Sequence, residues 1–229
     1  MEIKYNRPKK LFTPEIRLDS NKFFKELSDA QYYLGLLEGS QRKLQNPTLL
    51  ISPLTAKEAT VSSKIEGTQS SVSDVFLYEA GAIPRHADTR QVINYRSAMS
   101  FAIEEIRNGR ALTPHLIKTL HNILLEEVRH KGDLGKFRDD KVWIAEREGD
   151  PIEKAIYIPP QHMLVEEYME DLFSFIEHGK ESALVKAGIA HYQFEAIHPF
   201  TDGNGRIGRL LIPLILYYKN KISQPILYI

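Results

Sequence analysis

One stretch near the C-terminal end, His198-Pro-Phe-Thr-Asp-Gly-Asn-Gly-Arg-Ile-Gly-Arg209, gathers residue types that could do chemistry together. His198 can take a proton near neutral pH. Gly203-Asn204-Gly205 lets the backbone turn its N–H groups toward an anion. Asp202 stands beside that turn, where a carboxylate next to phosphates can hold Mg²⁺. Arg206 and Arg209 are one helical turn apart, so both guanidinium groups can face one anion. Taken singly, a Gly-Asn-Gly turn is only a tight turn, and paired arginines are usually a solvated face. Together they compose a base, a metal carboxylate, a phosphate nest and two anion clamps. That set suits phosphoryl or nucleotidyl transfer. The alternative phosphate loop, with Gly-rich spacing before Lys-Ser/Thr, is absent.

The elements around the stretch must place it at a helix start. The segments 183–197 and 204–218 read as helices, so the loop lies between them. The N-terminus of the second helix offers unpaired N–H groups and partial positive charge. Upstream, helical patterns cover 21–37, with Asp19 or Ser20 as cap, and about 55–65, stopping at Gly67. The run from Gln45 to Pro53 reads as a break between them. Further helices are expected at 73–79, ending at Gly81 to Pro84, and then at 89–107, 112–128 and from Leu164 to Ile176. Thr113 before Pro114 reads as a cap and first helical position. Between 139 and 158 the pattern changes. Lys141-Val-Trp-Ile-Ala145 and Ala155-Ile-Tyr-Ile158 are short β-prone runs around a turn-rich centre, which predicts a β-hairpin. A lone hairpin is marginal in water and must lean on the helices or bind something along its edge.

The chain has 229 residues, 42% of them hydrophobic, enough for a sizeable core. Lysine and arginine number 30 against 30 acidic residues, which gives no support for DNA binding by the chain as a whole. Cysteine is absent, which excludes disulfides, thiolate metal sites and a cysteine nucleophile. No signal-like apolar run opens the chain, and the apolar run 210–218 is too short to span a bilayer. A cytoplasmic protein without membrane association is expected. The apolar end Gln224–Ile229 reads as unfinished, as though a further segment should follow. His115, His121, His130, His162 and His178 lack metal-ligand spacing and read mostly as surface residues. His191 reads as packing behind the loop, and Phe194, Ile197 and Phe200 as core.

The loop resembles the signature of the Fic (filamentation induced by cAMP) family, His-x-Phe-x-Asp/Glu-Gly-Asn-Gly-Arg-x-x-Arg, at every specified position. The resemblance implies a mainly α Fic-type helical bundle with a β-hairpin flap. It divides the chain into an N-terminal helical region (1–88) and a catalytic core (89–229) carrying the flap at about 138–160. It implies a protein adenylyltransferase, which moves AMP from ATP to Ser, Thr or Tyr hydroxyls with Mg²⁺. Roles follow for His198 as base and Asp202 as metal ligand. Gly203, Asn204, Gly205, Arg206, Gly208 and Arg209 would bind the nucleotide phosphates.

A second segment, Ser62-Ser-Lys-Ile-Glu66-Gly67, resembles the family's inhibitory motif, in a helix at about 55–67. The resemblance implies that Glu66 pairs with Arg209, with Ser62 one turn back helping to position it. The hairpin gains a role as the flap, with Val142, Trp143, Ile144 and Ala145 as the strand that meets an extended stretch of a protein substrate. Automodification, a homodimer, another transferred nucleotide or phosphate group, removal of AMP by the same site, and a nucleotide-sensing role stay open.

Overall fold

The computed structural model describes residues 3–11, 19–41, 43, 48–83, 85–147 and 149–225. Eight α-helices occur among them: α1 (Phe24–Gln41), α2 (Thr48–Ile65), α3 (Val72–Glu79), α4 (Thr89–Arg107), α5 (Pro114–Leu125), α6 (Val165–His178), α7 (Ala183–Ile197) and α8 (Asn204–Tyr218). The expected cap of α1 is a short 3₁₀ turn, Ser20–Lys22, before the α-helix proper. The side chain of Ser20, Pro84 and the apolar end 226–229 lie outside the described residues. So do 45–47, the first part of the expected break.

The helix starts follow local chemistry. Thr113 Oγ1 accepts the Leu116 N–H at 3.2 Å, with Pro114 in the first turn where no N–H is needed. Ser71 and Asp74 exchange bonds at the start of α3: the Ser71 hydroxyl oxygen accepts the Asp74 N–H, and the Asp74 carboxylate accepts the Ser71 N–H. The expected break before α2 is shorter than the pattern predicts. The helix already runs from Thr48 and carries Pro53 inside it. A proline there forfeits one backbone bond, and burial of the helix offsets the loss, with Ala56 and Ala59 fully buried.

The core forms where α7 and α8 pack side by side, covered by α4, α5 and α6. Phe194, Ile197, Phe200, Ile207, Leu210, Leu211 and Leu214 are fully buried there. Helix α7 has no strongly polar face, in keeping with its central place. Helix α4 bridges α2, α5 and α8. It therefore connects the segment carrying Glu66 to the loop carrying His198. No helix of the described residues is long and apolar enough to cross a membrane.

The hairpin at 138–160 is not formed. Among the described residues, pairing is limited to one antiparallel bridge between Ile144 and Tyr157. Its bonds run from the Ile144 N–H to the Tyr157 carbonyl at 2.8 Å and from the Ile156 N–H to the Ile144 carbonyl at 2.8 Å. Pro159 and Pro160 bring no N–H to a ladder, and a 3₁₀ turn over Ile152–Lys154 curls the return strand. Trp143 Nε1 donates to the Asp150 carbonyl at 2.7 Å, folding the tip on itself. The Ile158 carbonyl is taken by the Asn6 N–H at 2.8 Å, so the N-terminal arm covers that edge.

Candidate functional site

The loop from His198 to Gly203 is shaped by the two helix ends it joins. Helix α7 ends at Ile197, and His198 follows in the left-handed region, φ 51° and ψ 62°. Pro199 then prevents the helix from resuming. Phe200 drops into the core, stacked on the His121 ring with centroids 3.8 Å apart. Asn204 closes the turn: its Nδ2 donates to the Phe200 carbonyl at 2.8 Å, and its Oδ1 accepts the Phe200 N–H at 2.9 Å. Gly203 precedes α8 with φ 77°, a conformation that suits glycine.

This geometry aims the start of α8 at the loop. Asp202 lies beside it, its Oδ1 accepting the Gly203 N–H at 2.6 Å. Its Oδ2 is 3.4 Å from the Lys131 N–H. Arg206 is buried, with Nη2 3.5 Å from Asp202 Oδ1 and Nη1 donating to Gln91 Oε1 of α4 at 3.0 Å. Burial pulls its pKa down from the ordinary arginine value, while Asp202 and Glu66 oppose that shift.

Arg209 reaches across to α2. Its Nε donates to Ser62 Oγ at 2.9 Å, and its Nη2 donates to the Ser62 carbonyl at 3.0 Å and to Glu66 Oε1 at 2.6 Å. The same Glu66 oxygen lies over Gly205, 2.4 Å from where a Cβ would stand. The first turn of α8 therefore faces the protein's own carboxylate, and a side chain at 205 would displace it.

His198 is substantially enclosed. Burial, helped by the positive charge of Arg138, pushes its pKa down to about 4. Glu66, Asp202 and the Glu195 backbone carbonyl favour the proton. The Glu195 carbonyl acts without a formed hydrogen bond, because Nδ1 is buried with no partner in bonding geometry. The imidazole is thus neutral at pH 7 and able to accept a proton.

Four residues of this centre escape the sequence patterns. Arg138 binds the backbone of the His198 turn, its Nε donating to the His198 carbonyl at 2.8 Å. Gln91 orients Arg206. His121, read above with the surface histidines, is instead buried. Its Nδ1 accepts the Gly135 N–H at 3.0 Å and its Nε2 donates to the Asp202 carbonyl at 3.1 Å, which fixes the neutral tautomer. Burial lowers its pKa to about 4. Glu195 presses against Gly208, Oε1 2.1 Å from a Cβ built there, and burial raises its pKa to about 7. His191 faces the same glycine, its Nδ1 3.2 Å from a Cβ built at Gly208. Positions 142–145 stand apart from this cluster in the described contacts, held by the Ile144 bridge and the Trp143 bond.

Asp202, beside the start of α8, is a carboxylate that could hold a divalent cation. One carboxylate supplemented by substrate phosphate oxygens and water is a donor set that Mg²⁺ accepts. No group of three or more His, Cys, Asp or Glu that could hold a metal occurs among the described residues.

A helical body, a helix start facing a carboxylate and an enclosed histidine at the preceding helix end make up the site. The chain belongs to the Fic/DOC family: residues 24–104 match the Fic/DOC family N-terminal region, and residues 111–216 match the Fic/DOC family itself. It is 33% identical over 87 residues to protein adenylyltransferase fic-1 of Caenorhabditis briggsae, a match covering 37% of this chain and 15% of that protein. It is 40% identical over 63 residues to a probable protein adenylyltransferase of Aquifex aeolicus, covering 27% of this chain and 20% of that one. The chain thus matches a small part of each relative's length. Among solved structures, a Fic family protein from Desulfovibrio desulfuricans superposes with a TM-score of 0.65 at 26% identity, covering 82% of this chain and 55% of that one. Fic-1 from Caenorhabditis elegans shares the fold, with a TM-score of 0.63 at 22% identity over 85% of this chain and 59% of that one.

Proposed function

We propose that the protein transfers AMP from ATP to hydroxyl side chains of proteins and that Glu66 restrains this activity. The observation that carries the reading is the convergence of neutral His198, Asp202, Arg206 and Arg209 on the start of α8. The two adenylyltransferase relatives support it.

In this reading the triphosphate lies along the first turn of α8. Its α-phosphorus faces His198, and its outer phosphates face Arg206 and Arg209. Asp202 would hold Mg²⁺, which when bound would neutralise phosphate charge. His198 takes the proton from a Ser, Thr or Tyr hydroxyl. The oxygen attacks the α-phosphorus in line, the bond to the bridging oxygen breaks, and pyrophosphate leaves. A histidine with a pKa near 4 is ready as a base but weak. The negative triphosphate beside it raises its proton affinity when the reaction needs it. Arg206 and Arg209 stabilise charge that grows on the leaving group.

Glu66 competes with the substrate. Its carboxylate takes the Arg209 donors that an outer phosphate would use and lies over Gly205. ATP then binds with its outer phosphate displaced, and the α-phosphorus is out of line. The protein target lies along 142–145, an extended segment with Trp143 40% exposed, rather than along a formed hairpin.

The test is a His198→Ala substitution made in a Glu66→Gly background. AMP incorporation should fall by roughly 10²–10⁴-fold while ATP binding persists. Undiminished incorporation would remove His198 from the chemistry.

A further inference from the structure

Arg138 is a buried guanidinium on the segment that follows α5, outside the 198–209 loop. Its donors converge on the loop backbone. Nε donates to the His198 carbonyl at 2.8 Å and Nη2 to the Ile197 carbonyl at 3.3 Å. Nη2 also donates to the Pro160 carbonyl at 2.6 Å, and Nη1 to the Asp140 carbonyl at 3.2 Å. Its own backbone N–H donates to the Pro199 carbonyl at 2.9 Å. One residue therefore closes three consecutive carbonyls, 197 to 199, around His198.

We propose that Arg138 is the positioning residue for the His198 base, holding its left-handed turn and the direction of its ring. This rests on the AMP-transfer reading for its catalytic consequence, but not for its structural one.

The turn needs such a device. A non-glycine residue with φ 51° is strained, and the residue before a proline is restricted further. Strain of this kind persists only where the surroundings over-determine it. Helix α7 has ended, so its last carbonyls need donors from elsewhere. A planar guanidinium spreads several donors at fixed angles and bonds four carbonyls at once; a lysine ammonium at this place has three donors on a single atom and cannot span them. Pro160 and Asp140 anchor the far side, so the turn is tied to the segment expected to meet the target.

The charge has a second effect. Arg138 disfavours a second proton on the His198 ring, whereas Glu66 and Asp202 favour it. Fork and charge can be separated by substitution. Arg138→Lys keeps the charge and loses the fork. Arg138→Met loses both.

The experiment uses both variants in a Glu66→Gly background, with thermal unfolding to establish that each is folded. The expected result is a fall in kcat of roughly 10²-fold in both, with the KM for ATP within a few-fold. The acidic limb of the pH–rate profile should move to higher pH in Arg138→Met and stay in place in Arg138→Lys. In parallel, NMR of the His198 ring and of the 197–199 amides reads the turn without turnover. Both should shift in each variant, and the ring should titrate at higher pH in Arg138→Met. Folded variants with unchanged kcat and unchanged His198 resonances would overturn the proposal. Absence of transfer in the Glu66→Gly parent would instead defeat the AMP-transfer reading and leave the NMR result to decide this one.

Discussion

The Glu66 carboxylate meets the Arg209 guanidinium at 2.6 Å, joining residues 143 apart in the chain. The pair ties the end of α2 to the first turns of α8. Arg209 is mostly buried while Glu66 is 38% exposed at its side chain, so the contact is screened and reversible. A screened contact of about 0.2–1 kcal/mol shifts an equilibrium by roughly 1.4–5-fold. That suffices for regulation and is small enough for a partner or ligand to overcome.

Ser62 should grade that restraint. Its hydroxyl accepts one Arg209 bond, and its carbonyl accepts another that substitution leaves intact. Ser62→Ala should therefore raise AMP incorporation above wild type but less than Glu66→Gly does. Initial rates with labelled ATP order the three proteins. Equal rates for Ser62→Ala and wild type would show that the hydroxyl bond does not hold Arg209 in its restrained place.

Asn204 is the structural closure of the loop. Replacing it with Ala leaves the buried Phe200 N–H and carbonyl without partners, at a cost of about 2–4 kcal/mol for the two bonds. Chemical denaturation should show that loss, and isothermal titration should show weaker ATP binding. An unchanged midpoint would mean that the turn stands without its side-chain bonds.

Two buried groups should give stability opposite pH slopes. The pKa of His121 is pushed below its unfolded value of 6.5, to about 4. Its contribution is full above pH 6.5 and is lost as pH falls through about 4. Glu195 is raised from 4.5 to about 7, so its contribution is full below pH 4.5 and is lost as pH rises through about 7. Glu195→Gln should flatten the loss between pH 4.5 and 7. His121→Phe should flatten the loss between 6.5 and 4. Unfolding midpoints across that range, measured for both variants, check the signs.

Gln91 should matter to nucleotide binding without touching the nucleotide. It accepts from Arg206, a buried guanidinium that needs partners. Gln91→Ala should weaken ATP binding several-fold, and Gln91→Glu should not. Indistinguishable affinities in all three proteins would remove Gln91 from the site.

Much of this arrangement was legible in the residues themselves. Helices α7 and α8 follow from their apolar pattern and the loop chemistry between them, and their bounds match the expectation. The loop was legible because its functional groups lie within a few positions of one another. Arg138, Gln91, His121 and Glu195 were not, because each acts across a distance in sequence that only folding closes. His121 looks polar in the chain and becomes a buried spacer once Phe200 stacks on it. The hairpin failed for a related reason. The β-prone residues of 141–145 and 155–158 say what each run prefers, but Pro159, Pro160 and the N-terminal arm decide how far they pair.

Intact mass after incubation with Mg²⁺ and ATP, wild type beside Glu66→Gly, tests the central claim most directly. The acceptors measured are the chain itself and any protein added with it. The account predicts an increase equal to one or more AMP groups in the Glu66→Gly sample, well above wild type. Equal masses in both, with ATP bound and the proteins folded, would contradict it.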